Sequence, residues 1–381
     1  MSRSDLFATV AEQEEAKALL RSALAEGPSH AYLFHGPSGV GKRKAALLFA
    51  GELLGDLRRV EQHSHPDLYL LEPVGDQIRI DDIRVLRRDL HMRPFEAQWR
   101  VYLIFSAETM NREAADALLK DLEEPPAYAV FVLVAGDPRR ISTTIRSRCQ
   151  SVSFHRLSEQ AVLEQIVRLG GVPDEQRRRA LARIAAGRLD RLARLLEPAA
   201  SARRTRLLEA ARAVYNNPDF EPAEQVRSLQ EAIDERGAEA RAKAERGLED
   251  GELTKRELDQ HLRRVERGAK REELLAMLEE LAAWYRDLIA IAIGADGVLI
   301  HSDNADELRA DGTLERLAAA EDAVDLVRET FRRMQSLNLN SSLALEALFV
   351  RLHALFAGTT AEYESRACGA CDSSAPRGAF G

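Results

Sequence analysis

The sequence predicts an α/β domain built on a parallel sheet, followed by an all-helical remainder. Three observations predict it. Short apolar runs alternate with amphipathic stretches as far as about residue 154. A glycine-rich turn joins the first apolar run to a helix. After residue 157 strand-type runs cease and helical periodicity continues to residue 356. With 381 residues at roughly 150 per domain, the chain has room for two or three domains.

Each element follows from local pattern. Glu12–Ala25 puts Ala16, Leu19, Leu20, Ala23 and Leu24 at helical spacing, and Gly27-Pro28-Ser29 ends the helix. Ala31–His35 is an apolar strand, and Lys44–Leu54 a helix after the glycine-rich turn. Asp67–Leu71 reads as a second strand. Asp81–His91 reads as a helix with Asp81 near its cap and Ile83, Leu86 and Leu90 on one face. Arg100–Phe105 (RVYLIF) and Val130–Ala135 (VFVLVA) read as apolar, buried strands. Between them Asn111–Glu124 is helical until Pro125-Pro126, where ring and missing N–H stop it. Strands separated by helices imply a parallel sheet covered on both faces. Leu157–Leu196 divides into three short helices at Gly170-Gly171 and Gly187. Ala202–Tyr215 is helical up to Asn216-Asn217-Pro218. Arg236–Glu272 holds 11 basic and 9 acidic residues and no aromatic, which predicts a solvated helical hairpin turning near Gly247–Gly251. Glu273–Ile293 is apolar around most of its circumference and reads as a central helix. Ala319–Gln335 and Ser341–Phe356 complete the helices.

Composition narrows the class. Charged residues at 30% and hydrophobic ones at 45% describe an ordinary globular chain. A sum of 54 basic and 62 acidic residues gives −8, which argues against a free-standing nucleic-acid binder. Three cysteines exclude a disulfide scaffold. The first 20 residues carry early acids and no apolar run, unlike a secretion signal. No window approaches the ~18 apolar residues of a membrane span. A cytoplasmic location is the expectation.

The glycine-rich turn carries chemistry. Gly36-Pro37-Ser38-Gly39-Val40-Gly41-Lys42 fits G-x-x-x-x-G-K between a strand and a helix. Its glycines would let backbone N–H groups face a phosphate, and Lys42 would neutralise it. The next residue should be Ser or Thr to hold Mg²⁺; here it is Arg43, which ligates no cation. The partner acid at the end of a buried strand is also missing, because Arg100–Phe105 runs into Ser106-Ala107-Glu108. Glu108 reads as a solvated turn residue rather than a displaced metal ligand. The loop is therefore expected to bind ATP or ADP, or to keep only the shape, without hydrolysing.

Four stretches together resemble the clamp-loader subunits of bacterial DNA polymerase III, delta-prime and gamma/tau. They are Ser29–Lys42 (SHAYLFHGPSGVGK), His65–Pro73 (HPDLYLLEP), Ala117–Pro126 (ALLKDLEEPP) and Thr144–Gln150 (TIRSRCQ). The resemblance is strong over residues 7–200 and thinner beyond, where Asn338–Phe356 looks like the family's last collar helix. It implies an AAA+ domain at 1–156, a helical lid at 157–200, a collar at 201–356 containing the charged insert 236–272, and a disordered tail at 357–381. It implies partners: gamma/tau and delta subunits in a hetero-pentamer, the sliding clamp, and primed DNA reached through the complex. The degenerate metal positions fit the delta-prime type, a stiff member of the polymerase III holoenzyme without turnover of its own.

The same resemblance implies roles in Ser147-Arg148-Cys149. Arg148 would be an arginine finger reaching the neighbour's nucleotide, projecting from an extended turn after a buried strand. A guanidinium fork suits a γ-phosphate. Cys149 would be a small apolar side chain behind it. Arg191, four residues after Gly187, falls near the lid's phosphate-sensing arginine, though Arg188 and Asp190 depart from the pattern. Ala135-Gly136 lacks the hydroxyl that senses the γ-phosphate in hydrolysing relatives. The family's four-cysteine zinc module is replaced by residues 55–64, which contain no cysteine; His63 and His65 alone cannot complete a tetrahedral site, so no metal is expected. Cys368 and Cys371 form a lone C-x-x-C in a polar tail and read as solvated. Two other readings remain, a catalytically active gamma/tau-type ATPase with Glu108 or another acid rescuing the metal, and a different AAA+ DNA remodeller.

Overall fold

The computed structural model describes residues 6–73, 77–170, 172, 174–217, 219–246, 255–337 and 339–358. The expected turn at Gly247–Gly251, Gly171, Asn338, Cys368, Cys371 and most of the expected tail lie outside them. The chain divides into two compact units, Met1–Arg194 and Leu195–Gly381.

The first unit alternates strand and helix. Its elements are α1 (Glu14–Glu26), β1 (Ala31–His35), α2 (Lys42–Leu54), α3 (Leu57–Glu61), β2 (Leu68–Leu71), α4 (Ile80–Leu90), β3 (Arg100–Phe105), α5 (Arg112–Glu123), β4 (Ala129–Ala135), α6 (Thr143–Arg146) and β5 (Gln150–Ser153), then α7 (Glu159–Leu169), α8 (Glu175–Ala185) and α9 (Leu189–Leu195). The five strands are parallel in the order β2-β3-β4-β1-β5. β1, β3 and β4 are central, which is why their sequences are apolar apart from His35 and Arg100 at strand ends. β5 gave no signal of its own because it is an edge strand, with Gln150 and Ser151 exposed.

Several boundaries move for local reasons. α1 begins at Glu14, not Glu12: Glu12 and Gln13 have φ of 51° and 62°. The Gln13 side chain instead donates to the His155 carbonyl (2.7 Å) and accepts the His155 N–H (2.9 Å), tying the N-terminal segment to the chain just after β5. The N-cap of α4 is Arg79, with Asp81 near it as expected, but the carboxylate that closes the first turn belongs to Asp82. Asp82 accepts the Arg79 N–H (2.8 Å), while Asp81 pairs with Arg84 on the surface.

The HPD stretch proves to be a structural fastener. Asp67 is fully buried and its carboxylate accepts the N–H groups of Phe95 (2.6 Å), Glu96 (3.0 Å) and Ala97 (2.9 Å). Buried Arg100 lies 3.5 Å from Asp67 and forms a fork with Asp89. Burial opposes the Asp67 charge, but the three N–H groups and Arg100 outweigh it and hold its pKa below the usual carboxylate value. The stability it contributes is present above the unfolded carboxylate pKa of about 3.9 and is lost as pH falls through the depressed folded value. Asp67→Asn leaves one of those donors facing an amide N–H₂ group. It is expected to cost about 2 kcal/mol, read from chemical unfolding at pH 7. An unchanged midpoint would contradict this role.

The second unit is helical: α10 (Ala200–Asn216), α11 (Pro222–Arg246), α12 (Lys255–Ala292), α13 (Ala305–Asp311), α14 (Leu317–Ser336) and α15 (Ser341–Phe356). The return arm of the charged hairpin and the central helix, expected as two pieces, are one 38-residue helix, α12. Its apolar half carries Leu278, Leu281, Trp284, Tyr285 and Leu288 into the core beside Phe349 and Leu352 of α15. Its polar half pairs with α11: Lys270 meets Asp234 (3.0 Å) and Glu266 (2.9 Å), and Arg241 meets Asp259 and Glu266 (both 3.4 Å). Gly237 lets this happen, since a Cβ there would stand 2.5 Å from the Lys270 stem. The segment 296–316, silent in the sequence pattern, folds around buried His301, Leu299 and Leu308.

Candidate functional site

The loop 36–42 sits between the carboxyl end of β1 and the start of α2, as its motif requires. Gly36 and Gly39 have φ of 134° and 72°, a region L side chains avoid. Gly36 also admits the Phe154 carbonyl, which a Cβ would meet at 2.0 Å. Val40 is buried against the N-terminal segment, which seats Phe7 and Val10 in the same core. α2 begins at Lys42, two residues earlier than its apolar pattern suggested, so Lys42 and Arg43 stand in its first turn.

Lys42 turns inward. It is 7% exposed, and its Nζ donates to the carbonyls of Gly36 (2.6 Å) and Pro37. Burial lowers its pKa to about 8, against the raising influence of Glu108 and Asp190. Arg43, in the place of a metal-holding hydroxyl, lies across the strand ends. Its guanidinium stacks over the Phe105 ring (4.1 Å to the centroid) and pairs with Glu72. Ser106 follows at φ 52°, so no carboxylate stands at the end of β3.

Glu108 is not the solvated turn residue expected. Its Oε1 accepts the Gly136 N–H at 2.8 Å, and its charge acts on Lys42. Oε2 is buried and accepts no hydrogen bond among the described residues. A Cβ at position 136 would stand 2.8 Å from Oε1 and 3.9 Å from the Ser38 hydroxyl. The two departures seen in sequence, a missing hydroxyl at 135–136 and a late acid at 108, are therefore one arrangement. Glycine at 136 makes room for the Glu108 carboxylate beside the loop.

α9 supplies the far wall. The Leu189 N–H donates to the Gly39 carbonyl at 2.7 Å. The Asp190 carboxylate lies on the open side of Gly39, 1.8 Å from where a Cβ would be. Asp190 also accepts from Arg188 (3.2 and 2.9 Å) and from the Arg191 N–H (2.8 Å). Arg191 itself is buried at 9% exposure.

Ser147-Arg148-Cys149 follows a single helical turn, α6, rather than an extended turn after a buried strand. Ser142 caps α6 by accepting the Ile145 N–H. Arg148 remains one-third exposed, but its guanidinium folds back. It meets Glu123 at 2.6 Å and donates to the Thr144 carbonyl at 3.0 Å. Glu123 belongs to the ALLKDLEEPP stretch, so α5 brings two of the sequence landmarks together. Ser147 donates to the Thr144 carbonyl (3.0 Å). Cys149 packs against the sheet core, and burial pushes its thiol up to about 12. In place of a zinc module, residues 57–61 form α3, capped by Asp56 accepting the Arg59 N–H. Buried His65 accepts the Asp67 N–H on Nδ1. Among the described residues no three metal-type side chains converge. Among them no helix is long and apolar enough to cross a membrane.

Comparison with known proteins decides what this domain resembles. Residues 12–158 match the family described as DNA polymerase III, delta subunit. Over this domain the chain is similar to DNA polymerase III delta-prime subunits. It is 36% identical over 163 residues to the delta-prime subunit of Bacillus subtilis, covering 40% of this chain and 50% of that one. It is 36% identical over 162 residues to that of Pseudomonas aeruginosa, covering 39% and 49%. The tau subunit of Bacillus subtilis is 33% identical over 175 residues, covering 42% and 31%. The chain spans about half the length of the delta-prime relatives it matches. The fold expectation, a parallel α/β phosphate-loop domain followed by helices, is the architecture observed.

Proposed function

We propose that the chain is a delta-prime-type subunit of a DNA polymerase III clamp loader, without ATP hydrolysis of its own. Its site would act in trans, Arg148 serving a neighbouring gamma/tau subunit's nucleotide. Its helical second unit would supply the collar that joins gamma/tau and delta subunits in a hetero-pentamer. That assembly would place the sliding clamp on primed DNA. The division into a sheet domain at 1–156, a lid at 157–200 and a collar at 201–356 belongs to this reading.

The observation that carries it is the placement of Arg43. A guanidinium pinned between Phe105 and Glu72 fills the strand ends where a hydroxyl and an acid would hold Mg²⁺. A cation there would meet a fixed positive charge. The similarity to delta-prime subunits points the same way.

A second reading, a gamma/tau-type ATPase, has one observation in its favour, the Glu108 carboxylate beside Lys42. ATPase assay of the purified chain separates the two. The proposal expects no turnover alone and stimulated hydrolysis only after gamma/tau, delta, clamp and primed DNA are added. Turnover by the isolated chain that Glu108→Gln abolishes would establish the second reading instead.

A further inference from the structure

The loop has the shape of a nucleotide site, yet its surroundings do not fit a nucleotide. Glu108, Asp190 and Arg188 all act electrostatically on Lys42 there, making a group of four charged side chains. Their formal charges sum to zero. His35, at the end of β1, adds no compensating cation at neutral pH, because burial and the Lys42 charge lower its pKa. Lys42 has its Nζ satisfied by two loop carbonyls. A triphosphate would bring several negative charges to a place whose positive charge is already matched.

We propose that Asp190 is a built-in anion that closes this loop to nucleotide. Two contacts made by consecutive residues of α9 create the closure. The Leu189 N–H binds the Gly39 carbonyl, and the next side chain sets its carboxylate on the Gly39 α-carbon. Arg188 grips that carboxylate as a fork, and the Arg191 N–H caps it. Burial disfavours the Asp190 charge, but these donors outweigh it and hold the pKa below the usual value, so the anion is permanent at neutral pH. The inference concerns this chain alone and stands apart from the clamp-loader reading.

The test is calorimetric titration of the full-length chain with ADP and with ATP, with and without Mg²⁺. Asp190→Asn keeps the side chain's size and removes its charge; Asp190→Ala removes the contact as well. Either variant is expected to bind at least one nucleotide about tenfold or more tightly than the parent chain. Adding Lys42→Met is expected to erase the gain, placing the binding at this loop. Circular dichroism and melting temperature of each variant accompany the titrations. The proposal is overturned if the parent chain already binds as tightly as the variants, if both folded variants gain less than about tenfold, or if the gain survives Lys42→Met.

Discussion

In the proposed assembly Arg148→Ala is expected to slow hydrolysis at the neighbouring subunit's site by about 10³-fold, the lower end of what an arginine finger contributes. The measurement is single-turnover ATP hydrolysis by the reconstituted complex in the presence of clamp and primed DNA. Arg148→Lys is expected to restore little, because a point ammonium cannot present two parallel N–H donors to a phosphate. In the isolated chain those donors are engaged with Glu123 and the Thr144 carbonyl. Reaching a neighbour requires exchanging one anion, the Glu123 carboxylate, for another, the phosphate. Glu123→Gln weakens only the internal partner and is expected to preserve the rate. Stimulated hydrolysis left intact by Arg148→Ala would remove the finger role from this proposal.

Asp287→Ala is expected to destabilise the helical unit by about 3–5 kcal/mol, because it strips a buried charge of its partner. Asp287 is fully buried on α12. It accepts the N–H groups of Ile300 (3.0 Å) and His301 (2.8 Å) and touches His301 Nδ1 at 2.9 Å. On its other side the His301 ring lies 3.7 Å from Glu280, which pairs with Arg204 at 2.7 Å; Arg204 pairs in turn with Asp303. Trp284 stands edge-on to the ring at 5.4 Å. In a Trp99→Phe background Trp284 becomes the sole tryptophan, so its fluorescence during urea unfolding reports this unit alone. A loss below about 1 kcal/mol would show the network to be dispensable.

The same network carries a pH signature. Burial opposes a charged His301, but the Asp287 and Glu280 carboxylates outweigh it and raise the pKa. A raised folded pKa contributes stability that is fully present below the unfolded value of about 6.5 and is lost as pH rises through the folded one. The stability gap between the parent chain and His301→Gln is therefore expected to narrow as pH rises above the unfolded value of about 6.5 and through the raised folded one. A gap that widens over this interval would reverse the assignment.

What could be read in advance divides along physical lines. β1, β3 and β4 were legible because a strand buried on both faces reads as a nearly continuous apolar run, here broken only by His35 and Arg100 at strand ends. α15 was legible to the residue, and Asn340 caps it by accepting the Leu343 N–H. β5 and α13 were not, because an edge strand and a short helix take their stability from neighbours and leave no periodic signal. The α12 continuity was hidden because its two halves differ in composition while sharing one uninterrupted backbone.

The site divides in the same way. Phosphate-loop geometry is a local property, since glycines at 36, 39 and 41 and the following helix are contiguous, and sequence alone determined it. The identities of Arg43 and Ser106 likewise announced the loss of the metal's usual partners. The positions of Glu108 and Asp190 were decided only by tertiary structure. Glu108 reaches Gly136 across 28 positions, and Asp190 reaches Gly39 across 151. Charge acts through space, not along the chain. That Lys42 turns onto two loop carbonyls, with the Glu108 and Asp190 charges acting on it, was decided only by the tertiary structure.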